Sequence, residues 1–416
     1  MTSKKKSLSM TVQMLIGTIG GGVFGAIVGP WAGNLKFIGD IFMRLIQMSV
    51  VLLVMTSISG SVGTMEGKGF GKMFFNTLKW IIITTFFAGF LGVVLCKLIQ
   101  PGVGISVVDP TQISEIPEAS SIQDTLLGFF TSNIVNAMSN GSMIPCIVFS
   151  LFFGFACNKY TQTTGNRIVI DWLHGTNAVL LNIIQMVMKI APIGIFCLLA
   201  NVAGAIGFAV ILPMIKYLGV LALGDLIMML VYIPLCALRC GVNPLKMPGK
   251  FAKMSIMAIT TTSSAICLPT KMEDSVTKFG VSRRVSDFIG PLAASMNSNG
   301  AALCNVAVIM FLSQTAGIEL SLPQLLLGVA LACMLCMGTI TVPGGMAVSA
   351  TFLATSLGLP VESIALILGV DWFAGMFRTL LNVDGDVIVA MLVANAEGEF
   401  DRDVYNGTKE INYSEV

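Results

Sequence analysis

Four polar residues, Asp371, Arg378, Asn382 and Asp386, lie in a stretch that is otherwise apolar, flanked by Ile364–Val370 and Val387–Val393. Their spacings of 7, 4 and 4 put them on one stripe of a helix. A charge at the centre of a bilayer costs at least ~2.5–3.5 kcal/mol, so such residues face a protein interior or a wet cavity. Arg378 offers a rigid fork of donors that matches a carboxylate bidentately. Asp386 is a hard oxygen ligand suited to a cation. The plainer alternative is an internal ion pair of Arg378 with Asp371 or Asp386. Asp384 points off the stripe, and its partner is open at this point.

The run Met296-Asn297-Ser298-Asn299-Gly300 places three amide or hydroxyl side chains and a glycine inside an apolar segment. That composition favours an unwound turn whose carbonyls could ligate a cation, with a simple kink as the alternative. Two further runs, Thr260-Thr261-Thr262-Ser263-Ser264 and Gly338-Thr339 with Val342-Pro343-Gly344-Gly345, combine hydroxyls with hinge residues. Helix N-termini at such places attract anions, although Ser/Thr runs also serve as ordinary packing between membrane helices.

The elements that must hold these groups are membrane helices. Of 416 residues, 11% are charged and 55% apolar, with mean hydropathy +0.86. Too few polar side chains exist to cover a soluble globule, for which ~25% charge is usual. Intrinsic disorder is excluded by the hydrophobicity, and a net charge of +2 excludes nucleic-acid binding. At about 20 residues per span, the chain holds roughly eight to ten segments. Spans are expected near 11–28, 37–63, 73–99, 122–157, 168–200 and 208–238, followed by 285–314 and 362–395. Segments 250–280 and 320–357 are apolar but interrupted, which requires burial in protein or a wet cavity.

Basic residues between spans, among them Lys68, Lys159, Arg239, Lys250, Lys271 and Arg283, put both termini in the cytoplasm. The parity of the spans then makes 250–280 and 320–357 re-entrant hairpins from opposite faces, an inverted-repeat arrangement. The ten cysteines fall within or at the ends of apolar stretches and read as small buried hydrophobes. His174, the one histidine, reads as interfacial.

Five runs in order make the chain resemble the dicarboxylate/amino acid:cation symporters, which include glutamate transporters and archaeal aspartate transporters. They are Asn133–Gly141 before Pro145, Ala191-Pro192-Ile193-Gly194-Ile195-Phe196, Thr262-Ser263-Ser264-Ala265 before Leu268-Pro269, Val342-Pro343-Gly344-Gly345, and Arg378-Thr379 with Asn382 and Gly385-Asp386. The resemblance covers nearly the whole chain. It implies an all-α polytopic membrane protein with eight transmembrane helices and two re-entrant helical hairpins, working as an elevator within a homotrimer in the plasma (inner) membrane. Scaffold helices would occupy 1–72 and 101–206, transport-domain elements 73–100 and 207–396, and a cytoplasmic tail 397–416.

The resemblance also assigns roles. Ser263, Ser264, Ala301, Val342, Pro343, Gly344, Met346, Gly375, Arg378, Thr379 and Asn382 would surround the substrate. A first sodium site would use carbonyls of Ala293, Asn297 and Asn382 with the Asp386 carboxylate. A second would use Ser295, Cys336, Met337 and Thr339. A third, weakened one would involve Thr84, Thr85, Asn297 and Asn299. Sodium is expected as the coupling ion over protons, and no organic cofactor is implied.

Three departures from the family pattern narrow the cargo. Gly375 stands where the amino-acid carriers have the aspartate that receives the amine, and Ala301 where they have its assisting threonine. Without that carboxylate an ammonium would be buried unpaired. Met346 replaces a small residue and favours a compact substrate. Asn299 replaces an aspartate, and Ser298 a methionine, in the unwound motif, so a neutral amide weakens the deep cation site. The expected cargo is a dicarboxylate without an amino group, such as succinate, fumarate or malate. The alternatives are a sodium-coupled acidic or neutral amino-acid symporter, with Asp371 or Asp384 receiving the amine, and, more remotely, a membrane-embedded hydrolase. The hydrolase reading finds neither an H-E-x-x-H nor a Gly-x-Ser-x-Gly motif, so the protein is not expected to be an enzyme.

Overall fold

A computed structural model describes residues 10–64, 70–104, 127, 130–140, 143–207, 211–336, 346–361 and 363–411. Among these residues the chain is helical throughout, apart from turns and one isolated antiparallel bridge between Val281 and Phe400. The helices are α1 (Met10–Val28), α2 (Lys36–Gly63), α3 (Phe70–Ile99), α4 (Ile134–Ser139), α5 (Met143–Thr164), α6 (Ile168–Met188), α7 (Ala191–Ile206) and α8 (Ile211–Cys240). They continue with α9 (Met247–Thr261), α10 (Ser264–Thr277), α11 (Arg283–Met296), α12 (Asn299–Thr315), α13 (Leu322–Cys336), α14 (Met346–Ser356), α15 (Ile364–Glu397) and α16 (Arg402–Asn406).

Glycine spacing decides how the first helices meet. Gly17, Gly21 and Gly25 recur every fourth residue and so share one face of α1. A Cβ on them would come within 2.5, 2.4 and 2.2 Å of the carbonyl oxygens of Pro192, Phe196 and Ala200 on α7. Only glycine permits this backbone-to-backbone approach, the small-residue packing that holds helices together where no water drives them. α2 packs against α5, α6 and α7. Outward faces such as Ile16, Ile19, Val23 and Ile27 of α1 remain exposed and apolar, as contact with lipid requires.

The second half is built around α15, which packs on α8, α9, α11 and α12. α3 joins this body through α12, α8 and α13, although α4 to α7 intervene in sequence. Hairpin α9–α10 turns at Thr262, a non-glycine residue at φ +50°, ψ 30°, followed by extended Ser263. Helices α13 and α14 form the second hairpin; its tip, 337–345, lies outside the described residues, as do 105–126 and Lys68. The end of the chain folds back as a clamp. Ser282 donates its N–H to Glu399 O at 3.1 Å, Asp401 N–H to Gly280 O at 2.7 Å, Arg402 Nε to Cys240 O at 2.8 Å and Tyr405 Oη to Asn243 O at 2.8 Å.

Two expectations change. The span expected over 168–200 divides at Lys189–Ile190, because Pro192 starts a new helix and cannot continue the old one. The span 285–314 does break at the unwound turn expected there, into α11 and α12. Lys271, expected as a loop charge, is 2% exposed inside the body. Among the described residues, four stretches are long and apolar enough to cross a membrane: Ile16–Phe42, Lys72–Ile99, Ile211–Cys240 and Arg283–Thr315. The ten cysteines are free and buried, as their apolar settings predict. His174 is exposed and lies against Gly60 of α2.

Candidate functional site

Arg378 is 6% exposed and paired with Asp371, one stripe position earlier, at 3.3 Å between Nη1 and Oδ1. The internal ion pair considered from the sequence is thus present, through Nη1 of the fork. The Arg378 Nε finds no partner among the described residues. Gly375 sits beside this group: a Cβ there would lie 3.6 Å from Arg378 Nη2 and 3.7 Å from the Cβ of Thr262. The tip of the first hairpin therefore reaches the arginine across the face of Gly375. Thr262 Oγ1, Ser264 Oγ and Thr379 Oγ1 are buried and also unpartnered among the described residues. Buried polar atoms are nearly always satisfied, so orphans on the hairpin tip and on α15, with Thr262 beside the arginine, mark a place built for polar company.

Of the other residues assigned to the substrate, Ser263 is 9% exposed and precedes α10. Met346 begins α14 and is 2% exposed. Val342, Pro343 and Gly344 lie outside the described residues. Ala301 and Asn382 belong to a different feature. Helix α11 ends at Met296, and α12 begins at Asn299 after Asn297 and Ser298 leave helical geometry. The new helix start needs a cap, and its own Ser298 side chain supplies none. Asn382 does so from α15: its Oδ1 accepts the N–H of Gly300 at 2.8 Å and that of Ala301 at 3.4 Å. The approach is tight, since a Cβ on Gly300 would lie 2.3 Å from Arg378 O. One helix break thus fixes the arginine's backbone.

The residues assigned to the third cation site are adjacent and bonded to one another. Thr84 Oγ1 donates to Asn297 Oδ1 at 3.5 Å and Thr85 Oγ1 to Asn299 Oδ1 at 2.9 Å. Asn299 Nδ2 donates to Tyr232 Oη at 2.6 Å. Both ends of the Asn299 amide are committed, its oxygen to Thr85 and its nitrogen to Tyr232. Of the second site, Ser295 Oγ donates to Leu292 O at 2.9 Å and Cys336 Sγ to Ala332 O at 2.9 Å. Its Met337 and Thr339 lie outside the described residues.

At the first site the structure holds something the sequence reading missed. Asp386 is 2% exposed, and its Oδ1 accepts Asn297 Nδ2 at 2.9 Å. Its Oδ2 is taken by Lys271 Nζ of α10 at 2.5 Å. The same ammonium donates to Gly290 O of α11 at 3.1 Å. The Ala293 carbonyl, a further expected ligand, accepts the Asn297 N–H at 2.8 Å. The available signal was the spacing: Lys271 lies seven residues past Ser264 in α10, hence on the same face as the tip. Three more buried carboxylates lie in this body; Asp274 of α10 pairs with Lys278 at 2.9 Å. Asp384 Oδ2 accepts Ser255 Oγ at 2.8 Å, whereas both oxygens of Asp225 on α8 lack a partner among the described residues.

Comparison with known proteins gives this geometry a lineage. The model of the sodium:dicarboxylate symporter family matches residues 10–396. A proton/glutamate-aspartate symporter of Bacillus subtilis (strain 168) is 31% identical over 397 residues, 93% of this chain and 95% of the relative. A proton/sodium-glutamate symport protein of the same organism is 27% identical over 412 residues, 95% of each chain. A C4-dicarboxylate transport protein of Burkholderia thailandensis is 28% identical over 401 residues, 94% of this chain and 93% of the relative. The chain is an integral membrane protein of the plasma membrane and a transporter, not an enzyme: it belongs to the sodium:dicarboxylate symporter family.

Proposed function

We propose that this symporter carries a compact C4-dicarboxylate without an amino group, of the succinate, fumarate or malate kind, into the cell with sodium. The observation that carries the reading is the neighbourhood of Gly375. Arg378 and Thr262 flank it with donors, and the position itself supplies no carboxylate for an ammonium. The unpartnered Arg378 Nε, Thr262 Oγ1, Ser264 Oγ and Thr379 Oγ1 would bind an anion's oxygens, each charge-assisted bond being about twice as strong as a neutral one. Packing of α3 with α8 to α15 supports a transport body of 73–100 and 207–396, moving as an elevator against the α1–α2 and α4–α7 scaffold of a homotrimer. Its coupling ions would reach the carbonyls near Ser295 and Cys336.

A second reading has its own observation. Asp371 places a buried carboxylate 3.3 Å from Arg378, where an amino group could find it, and relatives carry the names of glutamate and aspartate symporters. A thermal-shift screen of succinate, fumarate, malate, aspartate and glutamate in sodium decides between them, because ligand binding raises stability by mass action. Stabilisation by the plain dicarboxylates alone is expected; a larger shift with aspartate would sink the first reading. Gly375→Asp sharpens the test. The new carboxylate would reach Arg378 Nη2, so dicarboxylate affinity is expected to fall about tenfold or more.

A further inference from the structure

The Asp386 carboxylate already has a cation. Lys271 Nζ lies 2.5 Å from Asp386 Oδ2 and 3.1 Å from Gly290 O, so the ammonium touches a carboxylate and a main-chain carbonyl as a bound metal ion would. Asn297, whose amide orients the other carboxylate oxygen, completes the setting. Lysine and aspartate side chains are 2% and 1% exposed, so water does not screen the pair. Adding a sodium ion to the same oxygens would place two positive charges on one buried carboxylate, which offsets the desolvation of only one of them.

From this geometry we infer that Lys271 is a tethered cation that replaces the coupling sodium at the Asp386 site. A tethered charge has a thermodynamic consequence. It crosses the membrane with the transport body in both directions and is never released, so it dissipates no gradient and contributes no driving force. It keeps Asp386 neutralised on the return journey, with or without cargo. The protein therefore couples to one cation fewer than a relative in which Asp386 stands alone. Hairpin α9–α10, which carries the lysine, is held to α11 and α15 independently of ion concentration.

The inference rests on reading Asp386 as a coupling-cation site, but not on which acid is carried. Its test uses purified full-length protein without organic acid, titrated with sodium against choline at constant ionic strength while the melting temperature is recorded. Wild type and Asp386→Asn are expected to share one sodium dependence, because sodium does not visit that carboxylate. Lys271→Thr exposes the carboxylate to ions and is expected to gain one sodium equivalent, about a further tenfold in folded-state weight per tenfold rise in sodium above the dissociation constant. Lys271→Thr combined with Asp386→Asn returns to the wild-type dependence. A wild-type slope in folded Lys271→Thr, or an altered slope in Asp386→Asn, overturns the inference. If Lys271→Thr is not recovered folded, the comparison of Asp386→Asn with wild type decides alone. A preference for aspartate in the ligand screen would leave all of these outcomes unchanged.

Discussion

Two stretches with the same mean hydropathy of 1.2 live in different surroundings. In the most apolar window of Ile16–Phe42, 22% of residues are buried; in that of Arg283–Thr315, 94% are. The first shows isoleucines and valines outward and meets α7 through glycines. The second runs through a helix break and is enclosed by α3, α8, α13 and α15. Hydropathy reports that water is absent, and it does not distinguish lipid from protein. What separates the regions is where polar atoms are satisfied. In α1, α2 and α4 to α7 long-range side-chain bonds go to main-chain carbonyls, as from Asn158 to Gly63 O and from Ser59 to Ser150 O. In α8 to α15, Asn382 caps a helix from another helix, and Lys271 answers Asp386 across 115 residues.

This contrast can be broken from either side. The largest effect is expected in the second region: Arg378→Ala should weaken dicarboxylate binding by at least about 30-fold, since truncating one partner of a buried charged contact costs ~2–5 kcal/mol. It also strands Asp371, so the ligand titration should be run on protein verified as folded. Next, Gly21→Val drives a branched side chain into a carbonyl 2.4 Å from its Cβ and is expected to cost ~1–3 kcal/mol. Its signature is a lowered melting temperature with the ranking of ligands unchanged. A changed ranking would show that the two regions are not separable. Asn382→Ala removes the cap from Gly300 and Ala301, a loss of about 1–2 kcal/mol, read as reduced stability together with reduced affinity.

The smallest effect lies outside both. Asp401 is held below the usual carboxylate range, first by the Lys409 ammonium donating to it at 2.8 Å and also by the N–H groups of Asp403 and Val404. A depressed carboxylate contributes stability above its unfolded value of about 3.9, which is lost as pH falls through the folded value. Being exposed, the pair is largely screened. Asp401→Asn should leave melting at pH 7 nearly unchanged and flatten only the acid limb of the stability profile.

The stripe of Asp371, Arg378, Asn382 and Asp386 was legible in sequence because helical period is a local property. So was the break at Asn297–Ser298, where three short polar side chains and a glycine interrupt an apolar run. The all-helical membrane class followed from composition. Lys271 was not legible: a lysine near a hairpin reads as a loop charge until its partner, far along the chain, is known. The same holds for the Asn382 cap and for the Asn299–Tyr232 bond, which join elements whose neighbourhood is set by packing. The division at Lys189 was missed because hydropathy remains high on both sides of Pro192, and a helix can restart there without any polar signal.

The clamp formed by Glu399, Asp401, Arg402 and Tyr405 bears on the order in which the molecule is made. It fastens the ends of α8, α10 and α11 with residues near the end of the chain. A ribosome therefore delivers the fastener after nearly everything it fastens has entered the bilayer. Until then, Cys240, Gly280 and Ser282 keep backbone groups open at the membrane surface. A chain cut short after α15 would carry every residue proposed to face the ligand and still lack the fastener.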